Sequence, residues 1–275
     1  MSGARAEASL RLARRIASIV ERVSGIATPE HQLNALLHKS RALVPDAVML
    51  ETYVGQLEQD AAELARFIEG LCTHETRFFR HPEHFEVLER QWLPERQADV
   101  QKRRVRAWSV ACSTGEEPFS LAMWLSDHFP SLVGWRVEVL GTDFSRPALD
   151  RAERATWPLA RHGEISPERL ERYMLRGRGQ QTGLMRANDE LRALVSFQQL
   201  NLAQPPYAIG EDFDLVFLRN VLIYFSQETR QRVLRAVLSL MAHAAVLVAG
   251  PSEGVSYLGE TRLRSIAPHI YLYAG

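Results

Sequence analysis

The chain is poor in several features that would point early to a function. Only two cysteines occur in 275 residues, Cys72 and Cys112, too few and too far apart for a disulfide framework or a cysteine zinc site. The 33 basic and 33 acidic residues cancel, so the whole molecule exerts no pull on nucleic acid or a membrane surface. An electrostatic partner would have to meet a local patch. No apolar run reaches membrane-spanning length, and no direct membrane insertion is expected. The N-terminal MSGARAEASLRLARR has no apolar h-region, which makes a cytoplasmic protein the expectation. Phosphate-binding signatures are missing as well, since neither G-x-x-x-x-G-K-S/T nor a spaced G-x-G-x-x-G occurs.

What is present is ordinary globular material, 46% hydrophobic and 24% charged, in a chain long enough to bury a full core. From about Ala6 to Leu71 the apolar spacing is helical. Leu12, Ile16, Ile19, Val20 and Val23 gather into one stripe at 3.6 residues per turn. Arg11, Arg15 and Arg22 lie beside it, either as a solvated flank or as a docking surface for an acidic partner. Thr28-Pro29-Glu30 and Val44-Pro45-Asp46 look like helix starts. A charged stretch, LERQWLPERQADVQKRRVR, reads as a join between two regions, giving a helical N-terminal domain over residues 1–90 and a second domain over 91–275.

In that second domain, short apolar runs at Val105 to Ala111, Val137 to Thr142, Val195 to Leu200, Phe213 to Leu218 and Ala245 to Ala249 read as strands. Helical segments such as Arg146 to Ala155 and Gln227 to Ala242 lie between several of them. Strands alternating with helices predict an α/β fold, a doubly wound and mainly parallel sheet with ligands bound at the carboxyl ends of its strands. Residues 157–190 break the rhythm with Arg176-Gly-Arg-Gly179 and Gly183, as expected of an insertion with tight turns.

The polar residues at the strand ends set the chemistry. The first strand runs into Cys112-Ser-Thr-Gly-Glu-Glu-Pro118, a turn and helix start of the kind that cradles nucleotides, yet it carries two acids that would repel a phosphate. Glu116 and Glu117 serve either as first-turn acids favoured by the helix dipole or as ligand groups. The second strand ends at Gly141-Thr-Asp143, where an acid accepts hydrogen bonds from ribose hydroxyls in such sheets. The third and fourth end at Asn201-Leu202 and Arg219-Asn220. A ligand met by carboxylates with no phosphate clamp should be cationic or rich in hydroxyls and amines. S-adenosylmethionine fits, with its ribose, amino acid head and sulfonium.

Five ordered stretches then carry a resemblance: Thr73-His-Glu-Thr-Arg-Phe-Phe-Arg80, Trp108-Ser-Val-Ala-Cys-Ser-Thr-Gly-Glu-Glu-Pro-Phe-Ser120, Gly141-Thr-Asp143, Phe213-Asp-Leu-Val-Phe-Leu-Arg-Asn-Val-Leu-Ile-Tyr-Phe225 and Ala249-Gly-Pro-Ser-Glu253. The chain thus resembles the CheR-type chemotaxis receptor methyltransferases, which methylate glutamate side chains of chemoreceptors from S-adenosylmethionine. The resemblance implies a Rossmann-like methyltransferase sheet after a small all-helical domain, with a small β-subdomain inserted near 157–190. It implies a cofactor pocket of His74, Thr76, Arg80, Glu117, Asp143, Asn201, Leu202, Arg219 and Asn220, with Arg80 and Tyr224 at the transferred methyl. Glu116 is a weaker candidate than Glu117. The implied partners are cytoplasmic helices of a methyl-accepting chemoreceptor and a receptor C-terminal peptide gripped by the insertion, whose RGRGQQTG also reads as a plain surface hairpin.

The chain departs from the family pattern at His74, where the family commonly has Asn, and in HQLNALLHKSRALV, which matches a receptor-docking helix that is strongly basic in some relatives. His74, His81 and His84 lack a third placed acid and do not make a metal site. Two rival functions are a non-catalytic cofactor-binding signalling module and an amine methyltransferase acting on nucleic acid. The latter usually carries Asp/Asn-Pro-Pro-aromatic after the fourth strand, where this chain has Asn220-Val-Leu-Ile-Tyr224.

Overall fold

A computed structural model describes residues 2–44, 47–71, 75–99, 101–255 and 259–275. The chain divides into two compact units, one of residues 1–73, 201–205 and 224–233, the other of residues 74–200, 206–223 and 234–275.

The first unit is helical: α1 (Ser2–Ser24), α2 (Leu33–Leu43), α3 (Ala47–Leu57) and α4 (Ala61–Leu71). The expected stripe on α1 is its buried face, with Ile16, Ile19 and Val20 packed among Leu33, Leu36 and Leu37 of α2. Pro29 caps a short 3-10 turn, Glu30–Gln32, that leads into α2. The second expected start falls partly on residues 45–46, outside the described residues. Beside the stripe, Arg15 and Arg22 converge on Glu58, with N···O distances of 2.7 and 3.8 Å. Arg11 pairs with Glu7 at 3.4 Å, so all three flanking arginines are paired within their own unit. The HQLNALLHKSRALV segment forms α2, where Lys39 Nζ donates to the Leu71 carbonyl at 3.2 Å.

The second unit opens with α5 (Pro82–Gln91) and α6 (Leu93–Ala98). The charged stretch expected as a join is therefore largely helical, because Phe85, Leu88, Trp92 and Leu93 recur on one face and are buried. Its main sheet holds β1 (Arg104–Val110), β2 (Arg136–Asp143), β6 (Val195–Gln199), β7 (Phe213–Leu218), β8 (Met241–Ala249), β9 (Leu263–Ala267) and β10 (Ile270–Tyr273). A smaller sheet holds β3 (Thr156–Pro158), β4 (Met174–Arg176) and β5 (Leu184–Ala187).

The main sheet runs β6-β2-β1-β7-β8-β10-β9. Its first five strands are parallel, and β10 and β9 close the edge in antiparallel register. Strand β7 is buried along its whole length, as a central strand covered on both faces should be. The helices α7 (Glu116–His128), α8 (Arg146–Arg154) and α11 (Gln227–Leu238) follow β1, β2 and β7. Sequence periodicity extended the last helix to Ala242, but it stops at Leu238, and Met241 already belongs to β8. Strands β9 and β10 were not expected from the sequence.

Within residues 157–190 lie the small sheet, ordered β3-β5-β4 and antiparallel, a 3-10 segment (Leu159–Glu164) and α9 (Pro167–Tyr173). The order of the main sheet reverses at β1: β2 lies on one side of it and β7 on the other. Such a switch point opens a crevice at the carboxyl ends of the strands, which fixes where a ligand should be sought.

Candidate active site

The turn after β1 coils tightly. Ala111, Ser113 and Gly115 all have left-handed backbones, with φ of 55°, 51° and 96°. A Cβ on Gly115 would lie 2.8 Å from the Ala152 Cβ and 3.0 Å from its Cα, so glycine is required by φ and by the close approach of α8. The turn delivers Glu116 and Glu117 into the first turn of α7.

The two acids part company there. Glu117 faces the end of β7. Its Oε1 accepts from Ser109 Oγ at 2.7 Å, and its Oε2 from Arg219 Nε at 2.8 Å and Nη2 at 2.7 Å. The buried Arg219 also donates through Nη1 to the Arg80 carbonyl at 2.5 Å, and its guanidinium lies 4.8 Å over the Phe217 ring. His84 Nδ1 stands 3.4 Å from the same Nη1. His84 is buried, and burial, with Arg219 and His81 close by, pushes its pKa down to about 4. A neutral imidazole there can accept from the guanidinium. Arg80, Glu117 and Arg219, three residues that the sequence singled out for the ligand, thus share one hydrogen-bonded cluster with His84, which it weighed only as a metal ligand, and with Ser109, to which it gave no role.

Glu116 faces away. It is buried, accepts from Thr114 Oγ1 at 2.6 Å and pairs with Arg161 Nη1 at 2.9 Å. Burial raises its pKa.

Asp143 closes β2. Its Oδ2 accepts from the Ser113 amide at 2.8 Å and its Oδ1 from the Ser145 amide at 2.9 Å, which ties the tips of β1 and β2 together. Next to it, Ser113 Oγ is buried and has no hydrogen-bond partner among the described residues. A polar atom left in that state is one a bound ligand can satisfy.

At the tip of β7, Asn220 also has a left-handed backbone, φ 59°. The turn is held by a residue whose role the sequence did not disclose. Glu253 is buried, its Oε2 accepts from the Asn220 amide at 2.8 Å, and its Oε1 accepts from the Val221 and Leu222 amides at 3.0 and 2.7 Å. Burial raises the Glu253 pKa against the pull of those amides. Glu253 ends the fifth of the quoted motifs, the one signal that could have pointed to it.

The remaining candidates lie elsewhere. Thr76 presents its carbonyl to Arg161 Nη1 at 2.9 Å. His74 falls outside the described residues. Asn201, Leu202 and Tyr224 belong to the first unit. The Asn201 amide donates to the Val23 carbonyl at 2.7 Å and accepts from the Ala203 amide at 2.9 Å. Leu202 is buried, whereas Tyr224 is 41% exposed. Among the described residues no group of three His, Cys, Asp or Glu side chains could hold a metal, and no helix is long and apolar enough to cross a membrane.

Chemically, the crevice of the second unit offers carboxylates and carboxylate-held backbone in place of a lysine or an open nest of amides. It suits a ligand bearing hydroxyl and ammonium donors and a positive charge, and it is unsuited to a phosphate. S-adenosylmethionine fits this donor set.

Residues 74–269 match the family model described as "CheR methyltransferase, SAM binding domain". The chain is 36% identical over 254 residues to the chemotaxis protein methyltransferase of Salmonella typhimurium, covering 89% of this chain and 84% of that protein. It is likewise 36% identical over 254 residues to the Escherichia coli protein of that name, covering 89% and 85%. Chemotaxis protein methyltransferase 2 of Pseudomonas aeruginosa is 34% identical over 219 residues, covering 80% and 76%.

Proposed function

The chain belongs to the CheR methyltransferase family, and on that premise we propose that it methylates glutamate side chains of chemoreceptors, using S-adenosylmethionine, in sensory adaptation. The reading rests on one observation above others: Glu117 paired with the buried Arg219 beside Asp143, at the switch point of a sheet whose described residues offer no phosphate clamp.

A glutamate carboxylate has a pKa of about 4.3, so near neutral pH it is already a nucleophile and needs no general base. When bound, the cofactor supplies a methyl group on a sulfonium. One C–O bond forms, one C–S bond breaks, the sulfur keeps the electron pair, and no proton moves. Both charges disappear in the reaction, so the enzyme gains most by aligning the carboxylate and stripping it of water. Arg80 orients the carboxylate through a charge-assisted hydrogen bond, and Tyr224 offers a neutral one. Too tight a grip by Arg80 would stabilise the ground state and slow the step.

Asp143 receives the ribose hydroxyls. Glu117, Arg219, Asn220 and Thr76 complete the binding set within the second unit; His74, Asn201, Leu202 and Tyr224 are assigned to the cofactor on their sequence motifs alone. The acceptor is a cytoplasmic helical segment of a methyl-accepting chemoreceptor. Residues 157–190 form a β-subdomain that grips a receptor C-terminal peptide. The enzyme works in the cytoplasm, as a helical N-terminal domain over 1–90 followed by a methyltransferase domain over 91–275.

The test is to incubate the purified protein with methyl-tritiated S-adenosylmethionine and receptor-bearing membranes from its own source, treat the product with base and count volatile methanol. Volatile label is expected, as from a carboxyl methyl ester. Base-stable label would mean nitrogen methylation. No label despite measurable binding of S-adenosylhomocysteine would favour a module that does not catalyse.

A further inference from the structure

Residues 75–81 form no helix or strand, yet Phe78 is buried. A buried segment without regular structure must find partners for its backbone elsewhere. Here two come from residues 157–173. Arg161 Nη1 donates to the Thr76 carbonyl at 2.9 Å, and Glu164 Oε2 accepts from the Phe78 amide at 2.8 Å. Arg169 lies 4.7 Å over the Phe79 ring, and Trp157 packs edge-on against Phe78 with ring centroids 4.9 Å apart. The Phe79 amide donates to Ser120 Oγ of α7 at 2.9 Å.

Arg161 is the joint of this arrangement. The Nη1 that holds the Thr76 carbonyl is also 2.9 Å from Glu116 Oε1. Glu116 is buried on α7, which packs on the main sheet, so Arg161 is anchored on a rigid element while it reaches across to a segment that has none of its own. A single guanidinium nitrogen can serve both acceptors because it carries two N–H groups.

We propose that Arg161, seated on Glu116, is a positioning residue for methyl transfer: it holds Thr76 and the backbone leading to Arg80 in their binding conformation, and so couples residues 157–173 to the cofactor pocket. The inference rests on the reading of Thr76 and Arg80 as cofactor-binding residues. It gives Glu116 a role of its own, since Glu117 fixes Arg219 from one side while Glu116 fixes the 75–80 segment, through Arg161, from the other.

The test uses the full chain with Arg161→Ala and Arg161→Lys, and with Thr76→Ala and Arg80→Ala as reference variants. Amide hydrogen exchange over residues 75–80 and the Kd for S-adenosylhomocysteine are measured in each. In Arg161→Ala, exchange over 75–80 should quicken while the core strands stay protected, and the Kd should rise about tenfold, as loss of a charge-assisted hydrogen bond worth about 1.4 kcal/mol implies. Arg161→Lys, which keeps the charge but not the fork, should fall between. Unchanged exchange over 75–80 overturns the proposal. So does an unchanged Kd in Arg161→Ala when Thr76→Ala and Arg80→Ala bind weakly. If neither reference variant loses affinity, the assignment of Thr76 and Arg80 to the cofactor fails first and takes the inference with it.

Discussion

Replacing Glu253 with alanine strips three backbone donors of their acceptor at once, the amides of Asn220, Val221 and Leu222, held at 2.7 to 3.0 Å. Each buried donor left unmade costs about 1–1.5 kcal/mol in such a setting. Against the resulting total of about 3–5 kcal/mol stands the burial penalty of the carboxylate itself, visible in its raised pKa. Releasing that penalty offsets part of the loss, which leaves a net cost of about 2–3 kcal/mol. For a chain of this size that is a fall in Tm of about 5–10 °C. Glu253→Gln should lose less, about 1–2 kcal/mol, because its remaining oxygen can still serve Val221 and Leu222 while its amide group opposes the Asn220 N–H. Asn220 sits in a left-handed conformation that these bonds maintain, so affinity for S-adenosylhomocysteine should follow the same order, wild type above Gln above Ala. Thermal melts and calorimetric titrations of the three proteins decide it. A Glu253→Ala protein that melts within a degree of wild type would show that the amides find other partners, and the reasoning would fall.

Other expectations concern the same crevice. Asp143→Ala should weaken binding of S-adenosylhomocysteine at least tenfold by calorimetry; an unchanged Kd would exclude the ribose assignment. Arg80→Ala should reduce methyl transfer at saturating cofactor far more than it reduces binding, and wild-type turnover in the pure variant would remove Arg80 from the chemistry. Gly115→Ala forces a Cβ to within 3 Å of Ala152 at φ 96° and should cost about 2–4 kcal/mol of stability, read as a lowered urea midpoint. His84 supplies a pH signature. Its unfolded pKa is about 6.5 and its folded pKa is depressed to about 4, so below pH 6.5 the unfolded chain binds the proton first and stability falls as pH drops through that window. Between pH 7 and pH 5 the wild type should lose about 2 kcal/mol by this route. His84→Asn, less stable at pH 7, should close the gap by that amount at pH 5, whereas a constant gap would mean that His84 titrates normally.

Much of the fold was legible in local pattern. The apolar runs of β1, β2, β6, β7 and β8 and the stripe of α1 follow from side-chain periods of 2 and 3.6, which the chain carries without reference to its partners. Pattern failed where two elements meet with no breaker between them, at Leu238 to Met241, and in the short β9–β10 hairpin, whose Leu263–Ala267 and Ile270–Tyr273 become strands by completing an edge that β8 offers. The site was legible as a set of residue types: two acids after the first strand, an acid after the second, an arginine after the fourth.

Which partner each of them takes was decided by tertiary structure alone. Glu116 and Glu117 are neighbours in sequence, but a helix turns about 100° between consecutive residues, and the two carboxylates enter different surroundings. One meets Arg161, 45 positions away, and the other Arg219, 102 positions away. The sequence by itself determined that charge would be placed at the helix start. Only the packing of β7 and of residues 157–173 around that start determined that one acid would face the crevice and the other would brace its wall, because pairings between residues so far apart leave no trace in local composition or spacing.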